Sequence, residues 1–139
     1  MQIDNSSPIS KPFMENKGSF QYVTDSGVLI VKCLGDVSIK GLSFIWEEIA
    51  QEFPVSSRIK GVVFDLSSGN FAFPAPDHGR IVGFLKKHHD FFRHYRVGVV
   101  ANSPHNIVVA MLVARADSNY CVRPFTTLKA ALHWVKDTA

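Results

Sequence analysis

A chain of 139 residues, 46% apolar and 19% charged, fits one domain and has enough apolar mass to fold without metal or disulfide staples. No apolar run approaches the ~20 residues of a membrane-spanning helix, and Met1-Gln2-Ile3-Asp4-Asn5-Ser6-Ser7-Pro8 lacks the basic and apolar regions of a secretory leader. The net charge of +3 is a weak basic bias that speaks to solubility rather than fold, and Cys33 and Cys121, both in apolar runs, read as reduced core thiols of a cytoplasmic protein.

Residues 1–17 are polar, contain Pro8 and Pro12 and show no period; they read as a flexible arm whose Ile9, Phe13 and Met14 are its apolar members. Residues 18–139 read as one domain. Phe20 and Tyr22 alternate with Gln21 and Val23 in an edge-strand pattern, and Asp25-Ser26-Gly27 is a hairpin turn into the apolar strand Val28-Leu29-Ile30-Val31-Lys32-Cys33-Leu34. Ser38 suits a helix N-cap. Leu42, Ile45, Trp46, Ile49 and Phe53 follow helical spacing, with Glu47, Glu48 and Gln51 on the wet side and Pro54 past the end.

The stretch 59–85 organises the middle of the chain. It opens with the buried-strand signal Gly61-Val62-Val63-Phe64-Asp65-Leu66, passes through a polar loop, Ser67-Ser68-Gly69-Asn70, and then an uncharged Phe-Pro turn, Phe71-Ala72-Phe73-Pro74-Ala75-Pro76. A helix over residues 76–92 follows, with Ile81, Phe84, Leu85, His88, Phe91 and Phe92 on one face. Arg96-Val97-Gly98-Val99-Val100-Ala101 is another buried strand. Ser103 and Pro104 start the next helix, carried by Ile107, Val108, Met111, Leu112 and Ala114. A short strand, 120–125, contains Pro124, which suits an edge. The last helix presents Leu128, Ala131, Leu132 and Val135 inward, with Trp134 alongside.

The order β-β-α-β-α-β-α-β-α predicts an α/β fold with a mostly parallel sheet and an antiparallel strand at its N-terminal edge. Strands apolar at nearly every position expect cover on both faces. Four helices on one face would leave the other to the N-terminal arm, a second subunit or an apolar ligand.

Several patterns, in order, resemble the SpoIIAA-like group, which includes the STAS domains of anti-sigma-factor antagonists. They are Gly27-Val28-Leu29-Ile30-Val31 with Gly35-Asp36-Val37 before a helix, Val62-Val63-Phe64-Asp65-Leu66 as the central strand, and Phe125, Ala131 and Trp134-Val135 at the close. The resemblance covers residues 18–135 and implies a SpoIIAA-like fold and a regulatory module working through protein contacts. Antagonist STAS domains carry an Asp-Ser-Ser-Gly-like turn at the start of the second helix, where a serine is phosphorylated. This sequence reads Pro76-Asp77-His78-Gly79 and has no hydroxyl there. Proteins of this shape have also been compared with CRAL-TRIO lipid-binding domains, so the resemblance implies a carrier of lipid or another small apolar ligand as the alternative.

Other chemistries find little support in the spacing. His88, His89 and His94, with Asp90 between, match no zinc pattern, so no metal is expected. No Gly-x-Ser-x-Gly elbow accompanies Ser67, Ser68 or Ser103, and an enzyme would need one of these serines within about 3 Å of a histidine nitrogen. Lys86, Lys87, Arg93 and Arg96, interleaved with aromatic residues, read as a solvated helix end rather than a nucleic-acid or membrane-surface patch. No cofactor is expected. The sequence therefore predicts a non-catalytic, cytoplasmic interaction module, a homodimer, with its contact surface at Phe71, Phe73, Pro74, Pro76, Asp77 and His78 and with Ser103 and His105 on the same rim. The Phe-Pro segment is expected either as a lid on the core or as a surface exposed in the monomer and buried by a partner. The carrier alternative needs an enclosed cavity under that lid.

Overall fold

Ser26 and Gly27 take the positive φ values, 54° and 85°, that a two-residue hairpin turn requires. They join β2 (Gly18–Asp25) to β3 (Val28–Val37), paired antiparallel from Asp25↔Val28 to Gly18↔Gly35. The computed structural model describes residues 11–15, 18–52 and 59–137. Within the stretch read as an arm, Lys11–Glu15 forms β1, antiparallel to β2 from Lys11↔Tyr22 to Glu15↔Gly18. Ile9 at the arm and Phe53 and Pro54 at the end of the first helix lie outside the described residues. Three parallel strands follow on the other side of β3: β4 (Gly61–Phe71), β5 (Arg96–Val100) and β6 (Cys121–Phe125). The described sheet has the order β1-β2-β3-β4-β5-β6, largely parallel with its antiparallel part at the N-terminal edge.

The polar stretch Ser67–Asn70, expected as a loop, is instead the second half of β4. Its pairing with β3 shifts register between Lys32↔Asp65 and Leu34↔Ser68, then continues to Val37↔Phe71. A bulge absorbs one extra residue on β4. The buried Asp65 carboxylate accepts the Ser67 N–H there at 2.9 Å. Gly69 is required just beyond, because a Cβ at that position would stand 2.5 Å from the Cys33 carbonyl oxygen. Polar side chains point outward from this half-strand, so the residue pattern looked like a turn although the backbone is paired.

The helices divide between the two faces. α1 (Ile39–Glu52) starts at Ser38, whose Oγ accepts the Gly41 N–H at 3.0 Å, and buries Leu42, Ile45, Trp46 and Ile49. The helix expected over 76–92 is three pieces: a 3-10 turn (Ala75–His78), α2 (Gly79–Lys87) and a single turn, α3 (His89–Phe92). The break falls at His88, with φ −113° and ψ 37°. α4 (Pro104–Ala116) packs on the same face, but with a different phase from the one expected. Asn106, Val109, Ala110 and Val113 are buried, while Val108 and Met111 are each 44% exposed. A helix this uniformly apolar gives weak information about which side faces inward.

α5 (Leu128–Lys136) is capped by Thr127, whose Oγ1 accepts the Ala130 N–H at 3.1 Å, and lies on the opposite face over Val28, Ile30, Val63 and Val100. Its buried residues Ala131 and Val135 approach Gly98 and Gly61, where any larger side chain would meet the helix. The second face thus has its own helix over β3, β4 and β5. Of the two cysteines, Cys33 is buried, and burial pushes its thiol well above the usual range; Cys121 is exposed, contrary to the core reading, because β6 is an edge strand. Both are free thiols.

The larger core centres on Trp46, which is fully buried. Its ring stacks on Phe92 at 4.7 Å and meets Phe91 edge-on at 5.0 Å. His88 packs edge-on against Phe84 at 5.2 Å and Trp46 at 6.4 Å. The buried His88 Nε2 and Trp46 Nε1 have no hydrogen-bond partner among the described residues. Burial, helped by neighbouring Lys87, lowers the His88 pKa, against a smaller opposing effect of Glu47. The folded protein therefore favours neutral His88, and between the lowered folded value and the unfolded value near ~6.5 the unfolded chain binds more protons. Stability should fall as pH drops through that window and level off below it. The change His88→Phe should flatten this dependence, as read by melting temperature between neutral and mildly acid pH; an unchanged slope would assign it to another group.

Candidate functional site

β5 stops pairing with β4 at Asp65↔Val100, yet β4 runs on to Phe71. Its free side is completed by a side chain. Asn106 Nδ2 donates to the Gly69 carbonyl at 3.0 Å, and Asn106 Oδ1 accepts the Phe71 N–H at 3.0 Å. The amide thus mimics one residue of a neighbouring strand, bonding alternate backbone groups of β4. Asn106 is 1% exposed, and its own N–H goes to the Oγ of Ser103, the N-cap of α4, at 3.2 Å. Pro104 at the first helical position fixes the entry of the helix that carries it.

Two further bonds hold the same point. His105 Nε2 donates to the Phe71 carbonyl at 3.1 Å, which fixes the proton on that nitrogen, and the Ala72 N–H donates to the Val37 carbonyl at 2.8 Å. With residues 69–72 tied to both β3 and α4, the chain turns so that Phe71 and Phe73 point inward. They are 6% and 9% exposed, with ring centroids 5.6 Å apart. Of the two expectations for the Phe-Pro segment, the burial of both rings fits the lid on the core and not the surface exposed in the monomer; its outward residues are Ala72, Pro74 and Pro76.

Asp77 and His78, both half-buried, belong to the 3-10 turn and bond locally. The Asp77 N–H donates to the Pro74 carbonyl at 2.9 Å, and His78 Nδ1 donates to the Ala75 carbonyl at 3.2 Å. Ser103, His105 and Phe71 are brought together; among the described residues no hydrogen bond links Asp77 or His78 to them, and none joins Ser67 or Ser103 to a histidine. The histidines nearest the rim, His78 and His105, each commit a ring nitrogen to a backbone carbonyl. Among the described residues no three His, Cys, Asp or Glu side chains converge as a metal site, and no helix is long and apolar enough to cross a membrane.

The 3-10 turn and α2 pack against α4, whose outer rim exposes Val108 and Met111. Asn106, Val108 and Met111 were not singled out as site residues from the sequence. An Asn three residues after a Ser-Pro helix start is a signal that a local reading assigns only to capping. Under the lid, between Phe71, α2 and α4, lies an apolar cavity of about 30 Å³. This is the scale of one or two water molecules, against ~300–1,000 Å³ for small-molecule sites.

No family model matches the chain, and no curated protein matches it in sequence. Solved structures resemble it in fold. An anti-sigma factor antagonist from Mycobacterium paratuberculosis superposes with a TM-score of 0.61 at 20% identity, over 85% of this chain and 93% of that one. An uncharacterized protein with a SpoIIAA-like fold from Shewanella loihica gives 0.52 at 11% identity, over 97% and 98%. This chain has the SpoIIAA-like fold. In this SpoIIAA-like domain the turn Pro76–Gly79 carries no hydroxyl, and the backbone before it is held by Asn106.

Asn106→Ala should leave the Phe71 N–H and the Gly69 carbonyl buried and unpaired, lowering stability by about 2–4 kcal/mol in urea denaturation. Asn106→Asp should cost at least as much at neutral pH, since it keeps the acceptor for Phe71 but turns an oxygen toward the Gly69 carbonyl. A loss under about 0.5 kcal/mol for both would mean that the end of β4 holds without this amide.

Proposed function

We propose that this SpoIIAA-like domain is a non-catalytic, cytoplasmic regulatory module that works by protein contact, and that it forms a homodimer. The observation carrying this reading is exposed apolar surface on two elements that pack together, Pro74 and Pro76 at the 3-10 turn and Val108 and Met111 on the α4 rim. Exposed apolar groups gathered on a rigid frame are what a protein–protein contact buries. The hydrogen bonds of Asn106 and His105 supply that frame, so little ordering cost accompanies docking. The likeness in fold to a protein described as an anti-sigma factor antagonist, a name that denotes action on another protein, supports the same reading.

Control differs from that of antagonist STAS domains in one respect. The turn Pro76-Asp77-His78-Gly79 offers no serine or threonine to a kinase. Regulation of this module would then rest on the amount or the occupancy of its partner, not on a phosphate at that turn.

Val108→Glu combined with Met111→Glu tests the reading. Both positions are open to solvent, so the melting temperature should stay within about 2 °C of the wild type. Sedimentation equilibrium should show a dimer for the wild-type protein and a monomer for the double variant. A wild-type monomer, or a dimer indifferent to both charges, would contradict the proposal.

A further inference from the structure

A second surface lies on the other face of the sheet, where β6 meets α5. Arg123, on the edge strand, is exposed, and its guanidinium carbon sits 5.5 Å from the centre of the Phe125 ring and 5.9 Å from that of Trp134. Arg96 approaches the same indole at 5.0 Å and is committed, because its Nη1 donates to the Trp134 carbonyl at 2.7 Å. Arg123 has no hydrogen bond or ion pair among the described residues. Its charge lies beside two rings, and among the described residues no carboxylate pairs with it. A guanidinium held near aromatic rings by cation–π attraction keeps its N–H donors available to a carboxylate.

The surroundings extend this character. Arg123, Phe125 and Trp134 line a shallow groove of about 560 Å³ with Lys129 and His133 of α5; Asp137, the C-cap residue, is the acidic member of its lining. Lys136 continues the basic side along the helix, and half-buried Leu128 and Leu132 add apolar surface. An open groove would bury too little of a small molecule to hold it. Single-stranded nucleic acid binds by stacking bases on free aromatic faces, and here Phe125 and Trp134 are half-buried with guanidinium groups beside them. A stretch of chain alternating carboxylates with aliphatic side chains fits both the charge and the apolar strips. Pro124 removes a backbone donor from β6, so recognition would run through side chains more than through an added strand.

We infer that the β6–α5 groove is a binding site for an acidic peptide segment of a partner protein, with Arg123 as the anchoring cation, Lys129 as a flanking charge and His133 as a flanking hydrogen-bonding group. This surface is separate from the Val108–Met111 rim and does not depend on the dimer proposed there.

The probe is a fluorescein-labelled peptide of alternating glutamate and leucine, with its glutamine–leucine counterpart as the neutral control, titrated by anisotropy at low salt. The glutamate peptide should bind and the neutral one should not, and added salt should weaken the complex. Arg123→Glu should weaken binding at least about tenfold, and Arg123→Lys, which keeps the charge but not the planar fork, by a smaller factor of about threefold. Unchanged near-ultraviolet circular dichroism of both variants would establish that the groove still folds. Val108→Glu/Met111→Glu should bind the peptide as the wild type does, so loss of the rim contact and loss of the groove are read separately. Equal binding by Arg123→Glu, no binding by the wild type, or tighter Arg123-dependent binding of single-stranded DNA than of the peptide would each overturn the inference.

Discussion

The amide of Asn106 is the constraint on which the functional end of this domain depends. A parallel strand that outlasts its neighbour leaves backbone donors and acceptors facing a gap, and burying them unpaired costs about 1–3 kcal/mol each. β4 outlasts β5 here, and α4 fills the gap with one residue whose side chain has both an acceptor and a donor at strand spacing. Because that amide stands in the first turn of α4, the start of the helix and the end of the strand become one rigid unit. The lid, the 3-10 turn and the outward apolar residues take their positions from it.

The rest of the molecule is arranged to keep this unit fixed. On the α1–α4 face, Trp46 fills the space between helices and sheet, with Phe64, Phe84, Phe91 and Phe92 around it. Truncating such a residue typically costs ~3–5 kcal/mol. On the opposite face a single helix seats directly on Gly61 and Gly98. The absence of side chains at those two positions lets α5 come close enough to cover β3, β4 and β5 with only Ala131 and Val135 fully buried. Of the other α5 residues, Lys129 and His133 are exposed, while Leu128, Leu132 and Trp134 are half-buried beside the core.

The physical signals in the sequence differ in how much they fix. The hairpin at Ser26-Gly27 was legible because positive φ restricts residue choice sharply, and the Ser38 and Ser103 caps because each supplies the one acceptor a helix start lacks. α1 was legible because charged residues stand opposite its apolar stripe. α4 was less so: almost every residue in it is apolar, so the pattern singled out Val108 and Met111 among the residues carrying the helix, whereas Val109, Ala110 and Val113 are the buried ones. Ser67–Asn70 was misread because pairing is a property of the backbone, and a bulge hides it from side-chain alternation. The Phe-Pro segment was placed at the correct end of the sheet, yet whether its rings turn in or out is decided by bonds from Asn106 and His105, residues more than thirty positions away. No local signal carries that information.

The rim and the β6–α5 groove give this domain two surfaces of different chemistry, one apolar and framed by hydrogen bonds, the other cationic and framed by aromatic rings. The central claim is that the rim is the self-contact surface. Hydrogen–deuterium exchange compared at low and high protein concentration tests it most directly. The account predicts that concentration adds protection in residues 72–76 and 104–111 and leaves α5 unchanged. Added protection confined to α5 or β1, or none at either region, would contradict it.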